Sequence, residues 1–134
     1  DEKIEENIHA VCNRFGGGFS IETGISPMKM IKNWKGSIVH LTMYGETVEE
    51  SVKVLDSKKD LLLIVGAEKV PPQFYDIADI NVADGNQPHS EVAAIAIFLD
   101  RFTNHECQQD QFDGSMTIIP SNHGKKVVSS DDNK

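Results

Sequence analysis

The sequence predicts an α/β fold, a mostly parallel sheet with helices on both faces. Three observations predict it. Helical and strand patterns alternate along the 134 residues, the order that builds parallel sheets. Leu61 to Val65 (LLLIV) is an unbroken apolar run, of the kind found in strands covered on both faces. Three polar, glycine-bearing loops each follow a strand pattern, where open α/β sheets bind ligands.

The elements follow from spacing and punctuation. Ile4, Ile8, Val11 and Phe15 recur at helical intervals, and Gly16-Gly17-Gly18 ends that amphipathic helix. Phe19 to Glu22 is expected to form a short strand. Ser26-Pro27 reads as an N-cap followed by proline at the first helical position. Met28, Ile31 and Trp34 give this second helix a buried stripe, and Gly36 stops it. Ser37 to Met43 is rich in β-formers and predicts a strand. Thr47 with Glu50 makes a capping box, and the helix it starts turns Val48, Val52 and Leu55 inward. After LLLIV come a short helix over Phe74 to Ala78 and a short strand over Ile80 to Ala83. Glu91 to Phe102 (EVAAIAIFLDRF) is apolar almost all round and predicts a central buried helix. Met116 to Pro120 is expected as the last strand. Residues 1–128 are read as a single domain and 129–134 as a flexible polar tail.

Composition narrows the function classes. Hydrophobic residues make up 39% and charged residues 25%, an ordinary globular balance. No apolar run reaches the roughly 20 residues that span a bilayer, so no membrane partner is expected. Cys12 and Cys107 are isolated, which fits a reducing cytoplasm and neither a disulfide framework nor a zinc site. The histidines are scattered and HExxH is absent, so no metal is expected. GxxxxGK(S/T), GxSxG and a GxGxxG placed after a strand are absent too. The net charge of −8 argues against a nucleic-acid partner. Against it stand local lysine groups at Lys29, Lys32 and Lys35, at Lys53, Lys58 and Lys59, and at Lys125 and Lys126.

The three loops run from Thr42 to Glu46, from Gly66 to Pro72 and from Asp84 to Ser90. Gly45, Gly66 and Gly85 allow backbone groups to approach a ligand closely. The third loop, Asp84-Gly85-Asn86-Gln87-Pro88-His89-Ser90, is the densest polar cluster in the chain. A helix cap with a tight turn accounts for one or two of those residues, and polar groups so near a core need partners. In the second loop Glu68 is suited to accept hydrogen bonds from a ligand amine or ribose, although it also reads as one half of a surface ion pair with Lys69.

At these loops the chain resembles the archaeal tRNA (cytidine-56) 2′-O-methyltransferases of the SPOUT class. The resemblance rests on His40-Leu41-Thr42-Met43-Tyr44-Gly45, on Ile64-Val65-Gly66-Ala67-Glu68-Lys69-Val70-Pro71, on Gly85-Asn86-Gln87-Pro88-His89-Ser90-Glu91-Val92-Ala93-Ala94, and on Gly124-Lys125-Lys126-Val127. It extends from about Ile4 to Val128. It implies a C-terminal trefoil knot, an exception to the rule against threaded loops. It also implies a homodimer, with the Glu91 to Phe102 helix a candidate interface, and tRNA as the partner. The implied cofactor is S-adenosylmethionine, held in a bent shape by Leu41, by Gly66, Ala67, Glu68, Lys69 and Val70, and by Asp84, Gly85, Asn86, Gln87, Pro88, His89, Ser90 and Glu91. Asn86, His89, Ser90 and Glu91 are the candidates near the proton that leaves the ribose hydroxyl. Members of the family begin with a strand and helix bearing an arginine-rich segment, which this chain lacks; only Arg14 and Arg101 are present. The expectation is therefore a fragment or a member with an altered site. The alternative to the enzyme is an inactive nucleotide- or RNA-binding module of the same fold, or an unrelated α/β nucleotide-binding enzyme.

Overall fold

The computed structural model describes residues 2–66, 70–86, 90–109 and 112–130. They fall into two compact units, one over Ser26–Asp110 and one made of Asp1–Ile25 with Gln111–Lys134.

The first unit is built on a three-stranded parallel sheet. Strand β1 (Ser37–Thr47) is its centre, flanked by β2 (Leu61–Val65) and β3 (Ile80–Ala83). β1 pairs with β2 from Ser37↔Leu61 to Leu41↔Val65, and with β3 from Val39↔Ile80 to Leu41↔Val82. Its entry is fastened on both sides. Ser37 N donates to Asp60 O at 2.8 Å, and Ile38 N donates to the Asp79 carboxylate at 2.7 Å.

Side chains alternate across β1. Val39 and Leu41 face a core completed by Val48, Val82 and Phe98. That core packs helix α3 (Val48–Val54) against helix α5 (Glu91–Phe102). Val52 and Leu55 join it, as their spacing predicts. On the other face His40 meets Tyr75 of helix α4 (Gln73–Ile77). Helices therefore cover both faces of the parallel sheet, as expected. The short helix α2 (Pro27–Asn33) precedes β1 with Ser26 as its N-cap and Ile31 buried. Thr47 Oγ1 accepts from Glu50 N at 3.3 Å, so the predicted cap of α3 forms. Ser90 Oγ accepts from Ala93 N at 3.1 Å and caps α5.

Several elements differ from expectation. LLLIV, expected to be covered on both faces, is an edge strand and half-buried throughout. Leu61, Leu63 and Val65 pack against the core cluster from that edge. Helix α5 is not wholly buried: Phe98 is fully enclosed, but Val92 is 78% exposed and Ile97 43%. One helix face suffices to fill the core, so the remaining apolar face is left open. Residues 19–22 form no strand, since no neighbouring strand among the described residues offers them a ladder.

In the second unit, helix α1 (Glu2–Phe15) contacts the antiparallel hairpin of β4 (Met116–Ile119) and β5 (Lys126–Ser129). The predicted last strand is thus the first arm of a hairpin, outside the parallel sheet. Its partner carries only two apolar residues, too few to announce a strand. The residue opening the expected tail, Ser129, pairs with Met116, and residues 131–134 lie outside the described set. No helix among the described residues is long and apolar enough to cross a membrane.

The end of α5 is clasped by its own exit. Asn104 and His105 adopt positive φ, 53° and 67°, a conformation that costs free energy for a residue with a side chain. His105 Nδ1 meets the Asp100 carboxylate at 2.6 Å, and Gln108 Nε2 donates to it at 2.5 Å. Gln108 first, then His105, hold the Asp100 carboxyl below its ordinary value of 3.8. A lowered carboxylate stabilises the fold above its unfolded value, and that stability is lost as pH falls through the folded value. NMR titration of Asp100 is expected to give a midpoint below 3.8. Gln108→Ala should move it upward; an unchanged midpoint refutes the clasp.

Candidate functional site

β1 does not run straight through the sheet. Its ladder with β3 halts at Leu41↔Val82 and resumes at Glu46↔Val82, so the intervening residues leave the sheet as a wide bulge. The sequence suggests a loop after a strand; the chain instead makes an excursion within one. Gly45 is required there. A Cβ on it would lie 2.5 Å from the Asn81 carbonyl group and the Val82 nitrogen, well inside contact distance, so only hydrogen fits. Asn86 then ties the bulge to the third loop. Its Nδ2 donates to Met43 O at 2.7 Å and to Gly45 O at 3.3 Å. The first and third loops are thereby one structure.

Between these loops and the end of β2 lies a cavity of about 950 Å³, at the upper end of the ~300–1,000 Å³ typical of small-molecule sites. Leu41, Val65, Val70, Pro71, Val82 and Ala94 give it apolar walls. Gly66 lies at the end of β2, where a Cβ would collide with the Val70 side chain. Asp84 and Glu91 also line the cavity, with the carboxylate oxygens of Asp84 turned away from solvent, and Met43 and Tyr44 come from the bulge. Tyr44 is 75% exposed there. Glu91 suits a ligand carrying positive charge.

Six of the residues implied by resemblance line this cavity: Leu41, Gly66, Val70, Asp84, Gly85 and Glu91. Asn86 is committed to the bulge carbonyls, and Ser90 caps α5 outside the lining. Ala67, Glu68 and Lys69 lie outside the described residues, as do Gln87, Pro88 and His89. Among the described residues no group of three His, Cys, Asp or Glu side chains is placed to hold a metal.

Sequence reasoning missed a polar network in the cavity wall. His40 Nδ1 meets Asn81 Oδ1 at 2.9 Å, and Asn81 Nδ2 donates to Tyr75 O at 2.9 Å. The Tyr75 ring lies edge-on to His40, with centroids 4.7 Å apart, and its hydroxyl meets Thr42 Oγ1 at 3.3 Å. The available signal was a histidine between Val39 and Leu41 in a strand of β-formers, just before a ligand-binding loop.

A parallel sheet whose carboxyl-end loops close on a cavity of small-molecule size is the arrangement of an α/β ligand-binding protein. The comparisons give the particular family. Residues 15–128 match the family described as tRNA ribose 2′-O-methyltransferase, aTrm56. A tRNA (cytidine(56)-2′-O)-methyltransferase of Methanothrix thermoacetophila is 48% identical over 132 residues, 96% of this chain and 75% of that protein. The protein of the same description from Thermococcus kodakarensis is also 48% identical, over 96% of this chain and 75% of its own. That from Thermoplasma volcanium is 49% identical over 95% of this chain, which spans only 38% of the longer relative. The chain belongs to this tRNA ribose 2′-O-methyltransferase family.

Asn86→Ala is expected to free the bulge, costing about 1 kcal/mol of stability for the lost hydrogen bonds. Amide exchange at Tyr44 and Gly45 should quicken, while that of β2 stays slow. Unchanged exchange at both would show that Asn86 does not hold the bulge.

Proposed function

We propose that this chain methylates the ribose 2′-hydroxyl of a tRNA cytidine, position 56, using S-adenosylmethionine. The observation that carries the reading is the cavity formed by the matching loops at the carboxyl edge of the sheet. Family membership supports the reaction, and the lining supports the cofactor. Apolar walls from Leu41, Val65 and Val70 suit an adenosine. The carboxylate of Glu91 suits the cofactor's positive charge. When bound, the cofactor supplies a methyl group already activated on positively charged sulfur.

The chain then has to position rather than to activate. The bulge held by Asn86 fixes Met43 and Tyr44 at the cavity. Gly66 keeps the end of β2 free of a side chain, and Asp84 with Gly85 forms the opposite wall. Ala67, Glu68 and Lys69, with Gln87, Pro88 and His89, complete the cofactor loops in this proposal. The hydroxyl proton must pass to an acceptor within hydrogen-bond reach. Among Asn86, Ser90 and Glu91, the first is engaged with the bulge and the second with the helix cap. Glu91, which lines the cavity, is the group to test. Lysine groups such as Lys29 and Lys32 of α2 offer local phosphate contacts on a chain of net charge −8.

We further propose that residues 1–128 act as one SPOUT-class domain in the cytoplasm, with a C-terminal trefoil knot that an experimental chain trace will test. The domain works as a homodimer. The exposed apolar face of α5, with Val92 and Ile97, supports this assignment of the interface. Sedimentation should give a mass of two chains, and Val92→Glu should shift it towards one; a wild-type monomer removes the dimer.

Labelled S-adenosylmethionine and a tRNA transcript test the activity. The label is expected in the ribose of cytidine 56, and Gly66→Val should lose cofactor binding by calorimetry. Binding of cofactor and tRNA without transfer would instead establish the inactive module.

A further inference from the structure

His40 is fully buried in the middle of the central strand. Its hydrogen bonding identifies the form of its ring. Asn81 Nδ2 donates to the Tyr75 carbonyl, so the Asn81 oxygen faces the imidazole. An amide oxygen only accepts, so the proton between them belongs to His40 Nδ1. In the neutral ring the lone pair then sits on Nε2. That atom is closed off from water and has no hydrogen-bond partner among the described residues. A buried acceptor without a donor is costly. The surrounding groups are already engaged: Asn81 with Tyr75, and the Tyr75 hydroxyl with Thr42. His40 and Tyr75 both line the cavity. The network holds this ring in one orientation and leaves Nε2 an unmatched acceptor in a residue of the cavity wall.

We propose that His40 Nε2 accepts a hydrogen bond from an N–H group of the bound nucleoside methyl donor, making His40 a cofactor-binding residue. The inference rests on the cofactor site proposed above. Two ends of that ligand carry N–H groups, the adenine amine and the methionyl ammonium. Either satisfies the same acceptor, and the test separates them.

Calorimetry with S-adenosylhomocysteine and with methylthioadenosine, which lacks the amino-acid end, is carried out on wild type, His40→Phe and His40→Gln. Thermal unfolding checks that the variants fold. His40→Phe should weaken S-adenosylhomocysteine binding about tenfold or more, the scale of one unsatisfied buried donor. His40→Gln, whose amide oxygen can accept, should recover part of the loss. A loss that persists with methylthioadenosine assigns the donor to adenine; a loss seen only with S-adenosylhomocysteine assigns it to the ammonium. Nitrogen-15 NMR of the wild-type imidazole should show a proton on Nδ1 and an Nε2 resonance that moves on saturation with S-adenosylhomocysteine. Equal affinity in a folded His40→Phe overturns the proposal. If that variant does not fold, an unmoved Nε2 resonance overturns it alone. Failure of wild type to bind either ligand instead brings down the cofactor site itself.

Discussion

The site depends on the interrupted pairing of β1 with β3. A parallel ladder alone leaves no room for a ligand between neighbouring strands. Here the ladder reaches Leu41, yields the backbone to a bulge, and recovers the same partner residue at Glu46. The bulge can exist because Gly45 lies against the backbone of Asn81 and Val82, and because Asn86 satisfies two of its carbonyls. Buried or crowded backbone carbonyls need such partners. Leu41 and Val82 then serve the core and the cavity at once.

That arrangement is economical in ordering. The first and third loops are joined to each other by Asn86 and lead into capped helices. Thr47 ends β1, pairs with Ala83 and caps α3. Ser90 caps α5 at the far end of the third loop. A prebuilt site spends less binding free energy on arranging itself, which suits a reaction in which orientation is the main contribution of the protein.

Much of this was legible in the residues. Thr47 announces its helix by cap chemistry, and α5 and β3 have the predicted limits. LLLIV announces a parallel strand correctly, although that strand is only half-buried. It cannot record order within the sheet, which is set by which strand finds two partners. The hairpin of β4 and β5 was half hidden, since Lys126 to Ser129 has too little apolar alternation to be recognised. The bulge was read as a loop because sequence shows where regular pairing falters, not that it resumes with the same residue. His40 was passed over for a related reason. A single polar residue in a strand acquires meaning only once its neighbours across the sheet are known.

The register across the bulge also bears on how such a site can arise. Leu41 and Glu46 both stand opposite Val82, and Thr47 stands opposite Ala83. Splicing out residues 42–46 would leave β1 in phase with β3 and its helices correctly attached. The bulge is thus an excursion that the sheet accommodates without changing its alternation. A pocket can be added to such a sheet by lengthening one strand at one point, with no change to the pairing on either side.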